Sequence, residues 1–373
     1  MNKLIITSYN QGILTAEYEN DKIMSLNFET PSGVNIDDIY LGRVDKISEN
    51  IDAAFIDIGG TVCYMSLSKK QKIKVGDMIP VQVKTEAIKT KSYEVSDRLS
   101  IPGRYVVVTE GPYSLQISAK LDYDERRFSI AQTFDSTFSY DDEFSFVLRT
   151  NSKEATEEEI LNEAYSEIAL IKDIRKQATY MPNAGLLHSG NTYYLTKLRD
   201  LSSDREVVTD IADVFNQIKT LFPNITCSMY EDDKVSLSQL YKIESAISDA
   251  LSERVWLKSG GYLVISPTEA MTVIDVNTGK NESGRIAQQT YFVTNKEAAE
   301  ETARQLRLRN ISGIVIIDFI NMDNEHKMEE IVSTLKRRLK EDPIPATYAD
   351  VTKLGLVELT RKKVYKPLKE QIK

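Results

Sequence analysis

Two short stretches of this sequence end an apolar run on an aspartate with a carboxamide close behind: Ile274-Asp275-Val276-Asn277 and Ile317-Asp318-Phe319-Ile320-Asn321. Two convergent carboxylates suit a magnesium ion, which prefers oxygen donors, keeps several waters and takes one or two protein carboxylates together with a substrate phosphate. An ion held this way polarises a phosphodiester, lowers the pKa of a bound water and offsets charge on the leaving oxygen. Asn277 is placed to orient a ligand or the phosphate, and Asn321 lies near enough to do the same. An aspartate after an apolar strand can equally cap the next helix, and pattern alone leaves both readings open. Other chemistries fare worse. His188 and His326 are the only histidines, too few for the paired imidazoles that metal-free acid–base cleavage commonly needs. Cys63 and Cys227 stand far apart, outside any paired spacing of a zinc site or disulfide framework. Asn277-Thr278-Gly279-Lys280 lacks the upstream glycine and the Ser or Thr after Lys of a P-loop.

For the two aspartates to meet, their strands must be neighbours. After Ser259-Gly260-Gly261 comes a hairpin, YLVISPTEAMTVIDVN, turning from Pro267 to Ala270, then a helix NKEAAEETARQLRLRN, the apolar strand GIVIIDFIN and a helix from about Asn324 to Lys340. Strand, helix, strand predicts a right-handed crossover and a parallel pair. Asp275 and Asp318 would then emerge together at the carboxyl ends, where open parallel sheets place their sites.

The remaining elements sort into pieces. Residues 1–34 alternate as a small antiparallel sheet, too small to stand alone, so something later must complete its core. Residues 35–100 hold the short strands IYLGRVDKI, DAAFIDIG, VCYMSL and DMIPVQVKTEAI, the spacing of a small barrel such as an OB-fold. Phe55 and Tyr64 are candidate stackers for unpaired bases and Lys91 a candidate phosphate contact, although Phe55 reads equally as barrel core. Residues 101–195 carry GRYVVVTE, YSLQISAKL and DEFSFVLRT, leading into the helix TEEEILNEAYSEIALIKDIRKQA, with Thr156 as N-cap and Glu157, Glu158 and Glu159 in its first turn. Residues 196–255 read as helical segments around the strand NITCSMYED, returning to the N-terminal sheet.

At 373 residues, 41% hydrophobic and 28% charged, the chain is expected to form two or more packed units. A net charge of −9 argues mildly against nucleic acid. The clusters Lys69/Lys70/Lys72/Lys74, Arg304/Arg307/Arg309 and Arg361/Lys362/Lys363/Lys366 can outvote that total or be solvated faces. No apolar run approaches the ~18 residues of a membrane span, so a soluble, cytoplasmic protein with no membrane partner is expected.

The stretches MTVIDVNTGK, NKEAAEETARQLRLRNISGIVIIDFINM and LGLVELTRKK closely resemble the catalytic region of the ribonuclease E/G family. Upstream, GRVDKISENIDAAFIDIG resembles the family's OB-fold and TEAIKTKSYEVSDRLSIPGRYVVV its distal edge. FVLRTNS resembles its sensor of the RNA 5′ end, and LYKIESAISDALSERVWLKSGGYLVI its join into the catalytic part.

The resemblance implies an α/β chain of several subdomains. The first part of an RNase H-like subdomain would be 1–34, an OB-fold RNA-binding domain 35–100 and a 5′-sensor region 101–195. The second RNase H-like part would be 196–258 and a DNase I-like catalytic subdomain 259–373. It implies a magnesium-dependent endoribonuclease, with manganese as a substitute ion, hydrolysing single-stranded A/U-rich RNA and favouring 5′-monophosphorylated substrates. Asp275 and Asp318 would be metal ligands and Asn277 would support the metal–phosphate geometry. Phe55, Tyr64, Lys91 and Arg361 would contact RNA, and Arg149 and Thr150 would bind the 5′-phosphate. The family often has aspartate where Asn321 stands. Lys373 falls where many members place a paired-cysteine zinc link, so no zinc and no zinc-linked tetramer are expected, and a homodimer through other surfaces stays open. The alternative is a non-catalytic RNA-binding protein that keeps the OB-fold.

Overall fold

The computed structural model describes residues 2–30, 33–68, 72–87, 92–118, 125–139, 143–190, 192–201, 205–279 and 284–372. The chain divides into two compact units, Met1–Pro31 with Ser203–Lys373, and Ser32–Ser202.

In the first unit, strands Lys3–Tyr9, Gly12–Glu19 and Lys22–Glu29 form an antiparallel meander. Its turn residues Asn10, Gln11, Asn20 and Asp21 all have positive φ, as tight hairpins matching the strand twist require. The missing edge comes from far along the chain. Glu206–Thr209 runs parallel beside Lys3–Ile6, and Cys227–Met229 parallel beside Glu206–Thr209. The first of these two strands lies in a stretch the sequence reads as helical. Its buried run Val207-Val208-Thr209 is too short to display a period, and only its distant partner makes it a strand. Ile5, Leu14, Leu26 and Val208 then pack against Leu237, Ile243 and Ile247.

The same unit holds a six-stranded sheet in the order Arg254–Trp256, Tyr262–Pro267, Met271–Asn277, Gly313–Asp318, Val357–Arg361, Ala346–Val351. Met271–Asn277 and Gly313–Asp318 are parallel, and the other pairings are antiparallel. Leu263, Ile265, Ile274, Val276, Val315, Ile317, Val357 and Leu359 share one buried layer with Ala298, Ala299, Leu306, Ile331 and Leu335 of the helices Gly284–Leu308 and Glu325–Lys340. The first helix begins well before the Asn295 at which its apolar period becomes evident. Because side chains alternate along a strand, burying this set turns Asp275, Asn277 and Asp318 to the opposite face.

Several basic residues serve the interior. Arg361 ends its strand at 3% exposure. Its Nε donates to Asp342 Oδ2 at 2.7 Å and its Nη2 to Asp342 Oδ1 at 3.2 Å, while Nη1 donates to Asn310 Oδ1 at 2.8 Å and to the Ile311 carbonyl at 3.2 Å. The expectation of an RNA contact at Arg361 is therefore corrected: all three guanidinium nitrogens already serve the protein. Arg309 donates to Gln305 and to the Ser252 carbonyl, Arg307 faces Glu17 and Glu19, and Arg304 grips Glu301 and the Ile23 carbonyl. This cluster is a set of internal ties and not an RNA-facing patch.

The second unit contains a closed five-stranded, OB-like barrel of Ile39–Ser48, Ala53–Asp57, Val62–Ser66, Glu94–Ser96 and Met78–Thr85, which returns to Ile39–Ser48. Gly185–His188 adds to its outside along Ile39–Leu41. A four-stranded sheet of Leu115–Ile117, Phe144–Leu148, Val106–Glu110 and Ser100–Pro102 packs with helices Glu125–Thr137 and Glu157–Ala178. The longer helix starts as expected, with Thr156 and Glu159 forming a reciprocal capping box. The shorter helix goes unread in the sequence because Ile130 and Phe134, with Phe138 just past its end, make a single narrow stripe among Ser, Thr and Asp. Glu163 fixes the long helix to the sheet by accepting hydrogen bonds from the backbone N–H groups of Arg104, Tyr105 and Val106 at 2.7, 2.7 and 2.9 Å.

Two predictions follow from these ties. Arg361→Ala strands the buried Asp342 carboxylate and is expected to cost about 3–5 kcal/mol in urea unfolding. Unchanged stability with weakened RNA affinity would instead restore Arg361 as a contact residue. Glu163→Ala leaves three N–H donors without their acceptor and should lower stability by about 2–3 kcal/mol, read as a lower urea midpoint. An unmoved midpoint would refute the tie.

Candidate functional site

Asp275 and Asp318 are direct lateral partners in the parallel pair, so both carboxylates leave the same sheet face from adjacent strands. Both are exposed. Asn277, two residues beyond Asp275 and therefore on the same face, donates from Nδ2 to Asp275 Oδ2 at 2.8 Å. Asp275 Oδ1 and both carboxylate oxygens of Asp318 have no hydrogen-bond partner among the described residues. The geometry thus sets two carboxylates on adjacent strands, one of them bonded by the Asn277 amide, on one solvent-facing side of the sheet. Like charges held side by side favour a cation, and an all-oxygen donor set suits a hard divalent ion.

The backbone around this point is closely determined. Asn295, fully buried on the crossover helix, donates from Nδ2 to the Ile320 carbonyl at 2.7 Å and accepts from the Ile320 N–H at 3.0 Å. That clamp holds the turn just past Asp318. Beyond Asn277, Gly279 adopts φ +67° and a Cβ there would fall 2.5 Å from the Gly260 carbonyl oxygen. A Cβ on Gly261 would fall 2.6 Å from the Asn277 carbonyl oxygen. The two loops touch backbone to backbone, which only glycine allows. The glycine in Asn277-Thr278-Gly279 therefore has a packing purpose and not a phosphate-loop one. Asn321 is exposed in the turn that Asn295 steadies.

In the barrel, Phe55 and Tyr64 face each other across Ala53–Asp57 and Val62–Ser66, their rings edge to face with centroids 6.4 Å apart. Ala54, Ile56, Cys63 and Met65 fill the interior, so both rings lie on the outer face and are partly exposed. This decides between the two positions that the sequence allows for Phe55. Lys46 is exposed and pairs in register with Phe55, a cation beside the rings that the sequence pattern did not single out. Lys91, Lys69 and Lys70 lie outside the described residues.

Arg149 and Thr150 begin the 3-10 turn that follows Phe144–Leu148. Arg149 donates from Nη1 to the Gly103 carbonyl at 2.9 Å and pairs with Asp200, while the Thr150 hydroxyl lies 3.1 Å from that of Ser118. Burial, then the charge of Arg199, hold Arg149 below the usual guanidinium range, with Glu163 opposing. Burial likewise lowers Arg199, against Glu167, Asp37 and Glu163. Burial also pushes Glu167 up to about 7, helped by repulsion from Glu163 and opposed by Arg199. Among the described residues, Arg104 Nε and Arg199 Nη1 are buried without a hydrogen-bond partner. Arg149 and Arg199, close enough for the charge of Arg199 to lower Arg149, can fork onto a dianionic phosphate, while Arg104 pairs with Glu154. Arg104 and Arg199 are additions that the sequence motif did not flag.

Comparison with known proteins places nearly the whole chain among relatives. The sequence model of the Ribonuclease E/G family matches residues 100–364. Ribonuclease E of Synechocystis sp. is 31% identical across 97% of this chain and 56% of its own length. Ribonuclease G of Salmonella typhimurium and Ribonuclease G of Escherichia coli are each 30% identical, across 88% of this chain and 73% of their own lengths. The chain thus spans little more than half of the ribonuclease E relative and nearly three quarters of each ribonuclease G. A family match covering most of the chain, with relatives aligned through both units, shows that it belongs to the ribonuclease E/G family.

Proposed function

We propose that this protein is a magnesium-dependent endoribonuclease that hydrolyses single-stranded, A/U-rich RNA in RNA processing and decay. The observation that carries the reading is the lateral pairing of Asp275 and Asp318, with the Asn277 amide bonded to Asp275. Their donor set fits magnesium, with manganese as a substitute, and when bound the ion supplies positive charge for the scissile phosphate and a more acidic water. Asp275 and Asp318 hold that charge at the sheet edge. Asn277 fixes the rotamer of Asp275, and Asn295 fixes the backbone beyond Asp318. The products would be a 3′-hydroxyl and a 5′-phosphate.

In this reading the meander with Glu206–Thr209 and Cys227–Met229 is the RNase H-like part, and the six-stranded sheet with its helices is the DNase I-like catalytic part. Phe55 and Tyr64 stack bases, with Lys46, and Lys91 as expected from the sequence, meeting the backbone. Arg149 and Thr150, supported by Arg104 and Arg199, receive a 5′-monophosphate. Cytoplasmic location and a homodimer belong to the same proposal. Asn321, where the family often has aspartate, favours one second reading, an RNA-binding protein without turnover.

Cleavage of a short 5′-monophosphorylated A/U-rich RNA should require magnesium and fall in Asp318→Asn and Asp275→Asn by more than the ~100-fold that a change behind a metal ligand costs, with RNA affinity largely kept. Wild-type cleavage in both variants would sink the site, and tight binding without any cleavage by the parent would select the second reading. Arg149→Ala should weaken use of 5′-monophosphorylated over 5′-hydroxyl substrate by about 10- to 100-fold in KM while sparing kcat. An undiminished preference would remove Arg149 from that role.

A further inference from the structure

The strand Arg254–Trp256 packs the partly buried Val255 against the core, so alternation turns Arg254 and Trp256 outward. Trp256 is 64% exposed and is the only tryptophan in the sequence. It is not isolated. Its ring centroid lies 5.3 Å from that of Tyr262, its partner on the adjacent strand, and the Arg254 guanidinium sits 4.4 Å from the Tyr262 centroid and 5.6 Å from that of Trp256. Among the described residues Arg254 has no carboxylate partner. A cation stacked on one half-buried and one exposed ring, with no acid to neutralise it, suits a ligand that offers both a flat π face and a negative charge.

The sheet register says where this platform stands. Tyr262 pairs directly with Asn277, and Val264, beside Arg254, pairs with Asp275. The aromatic residues and the carboxylates therefore share one sheet face. At about 4.8 Å between strands, Tyr262 is one strand and Trp256 two strands from Asn277, within about one or two nucleotides of the carboxylate pair. We propose that Trp256, Tyr262 and Arg254 form a base-stacking subsite for a nucleotide adjoining the scissile phosphate, the rings taking the base and Arg254 a neighbouring phosphate. This rests on the nuclease reading of Asp275 and Asp318. It adds a second stacking surface, on the catalytic sheet itself and separate from the barrel pair Phe55 and Tyr64. Stacking accepts any base, so the subsite contributes affinity and alignment with little sequence preference.

The single tryptophan makes the test direct. Full-length protein carrying Asp318→Asn is titrated, without metal, with a single-stranded A/U-rich RNA whose binding is followed independently by anisotropy of an end label. A saturable change in tryptophan emission with the same Kd is expected, and an abasic nucleotide moved along the RNA should abolish it at one or two positions. Trp256→Ala should bind about 5- to 100-fold more weakly, with Trp256→Phe recovering most of the loss, and in the active protein the loss should fall on KM more than kcat. Arg254→Ala should reduce the salt slope of binding by about 1.

Absence of RNA binding by anisotropy would defeat the nuclease reading. Binding with unchanged emission, or with unchanged affinity in Trp256→Ala, would overturn only the subsite. Emission that follows protein concentration and ignores RNA would also overturn it, assigning this face to contact between copies of the chain.

Discussion

The hydrogen-bond ladder joining Met271–Asp275 to Ile314–Asp318 is what the six-stranded sheet and its two helices are arranged around. Its register has no latitude. Each strand places alternate residues in an apolar layer, so a slip of one position would carry an aspartate into the core and an isoleucine into water, a cost well beyond the stabilisation of any one contact. The helix Gly284–Leu308 supplies that layer with small residues, Ala298 and Ala299, which let it approach closely. From its buried side it also sends Asn295 to pin the chain after Asp318. Packing and site geometry are thus set by the same helix. Chemistry at the sheet edge costs the core little because all its polar groups emerge where the strands end.

The charge economy of the chain follows a related logic. The net balance is acidic, and much of its arginine is spent internally: Arg361 on Asp342, Arg307 on Glu17 and Glu19, Arg309 on backbone carbonyls. Such forks satisfy several carbonyl or carboxylate oxygens at once, which an ammonium cannot do with fixed geometry. Two of the cations left open to an anionic polymer stand beside aromatic rings, Lys46 near Phe55 and Arg254 near Tyr262. Recognition by ring faces with a few cations is consistent with a binding mode that depends less on total charge.

Much of this was legible in the sequence. The repeated apolar run ending in Asp275 and in Asp318, with a helical period between, gave the crossover and brought the two carboxylates together. Turn residues at short spacing gave the barrel strands, and Thr156 with its glutamates gave the start of the long helix. What stayed hidden depends on partners distant in the chain. Glu206–Thr209 becomes a strand only against Lys3–Ile6, and Glu94–Ser96 is a strand because it closes a barrel. Arg361 sits among lysines that are exposed, and a linear cluster cannot tell a buried fork from its solvated neighbours. Asn295 stands at the head of the helical motif without announcing that its amide matches a backbone N–H and C=O elsewhere. Trp256 reads as one more apolar residue until the alternation of its strand is known.

The interrupted first unit has a consequence for how the protein is made. Lys3–Ile6 lies about 200 residues ahead of the strand that covers it. At roughly 5–20 residues per second, a ribosome delivers that cover about 10 to 40 seconds later. During that interval the amino-terminal meander presents an open edge of unpaired N–H and C=O groups, the template on which strands of other nascent chains can dock. The hazard is confined to synthesis and vanishes with the arrival of Val207 and Val208. Nascent chains stalled anywhere before that point are the ones that cellular quality control would have to shield.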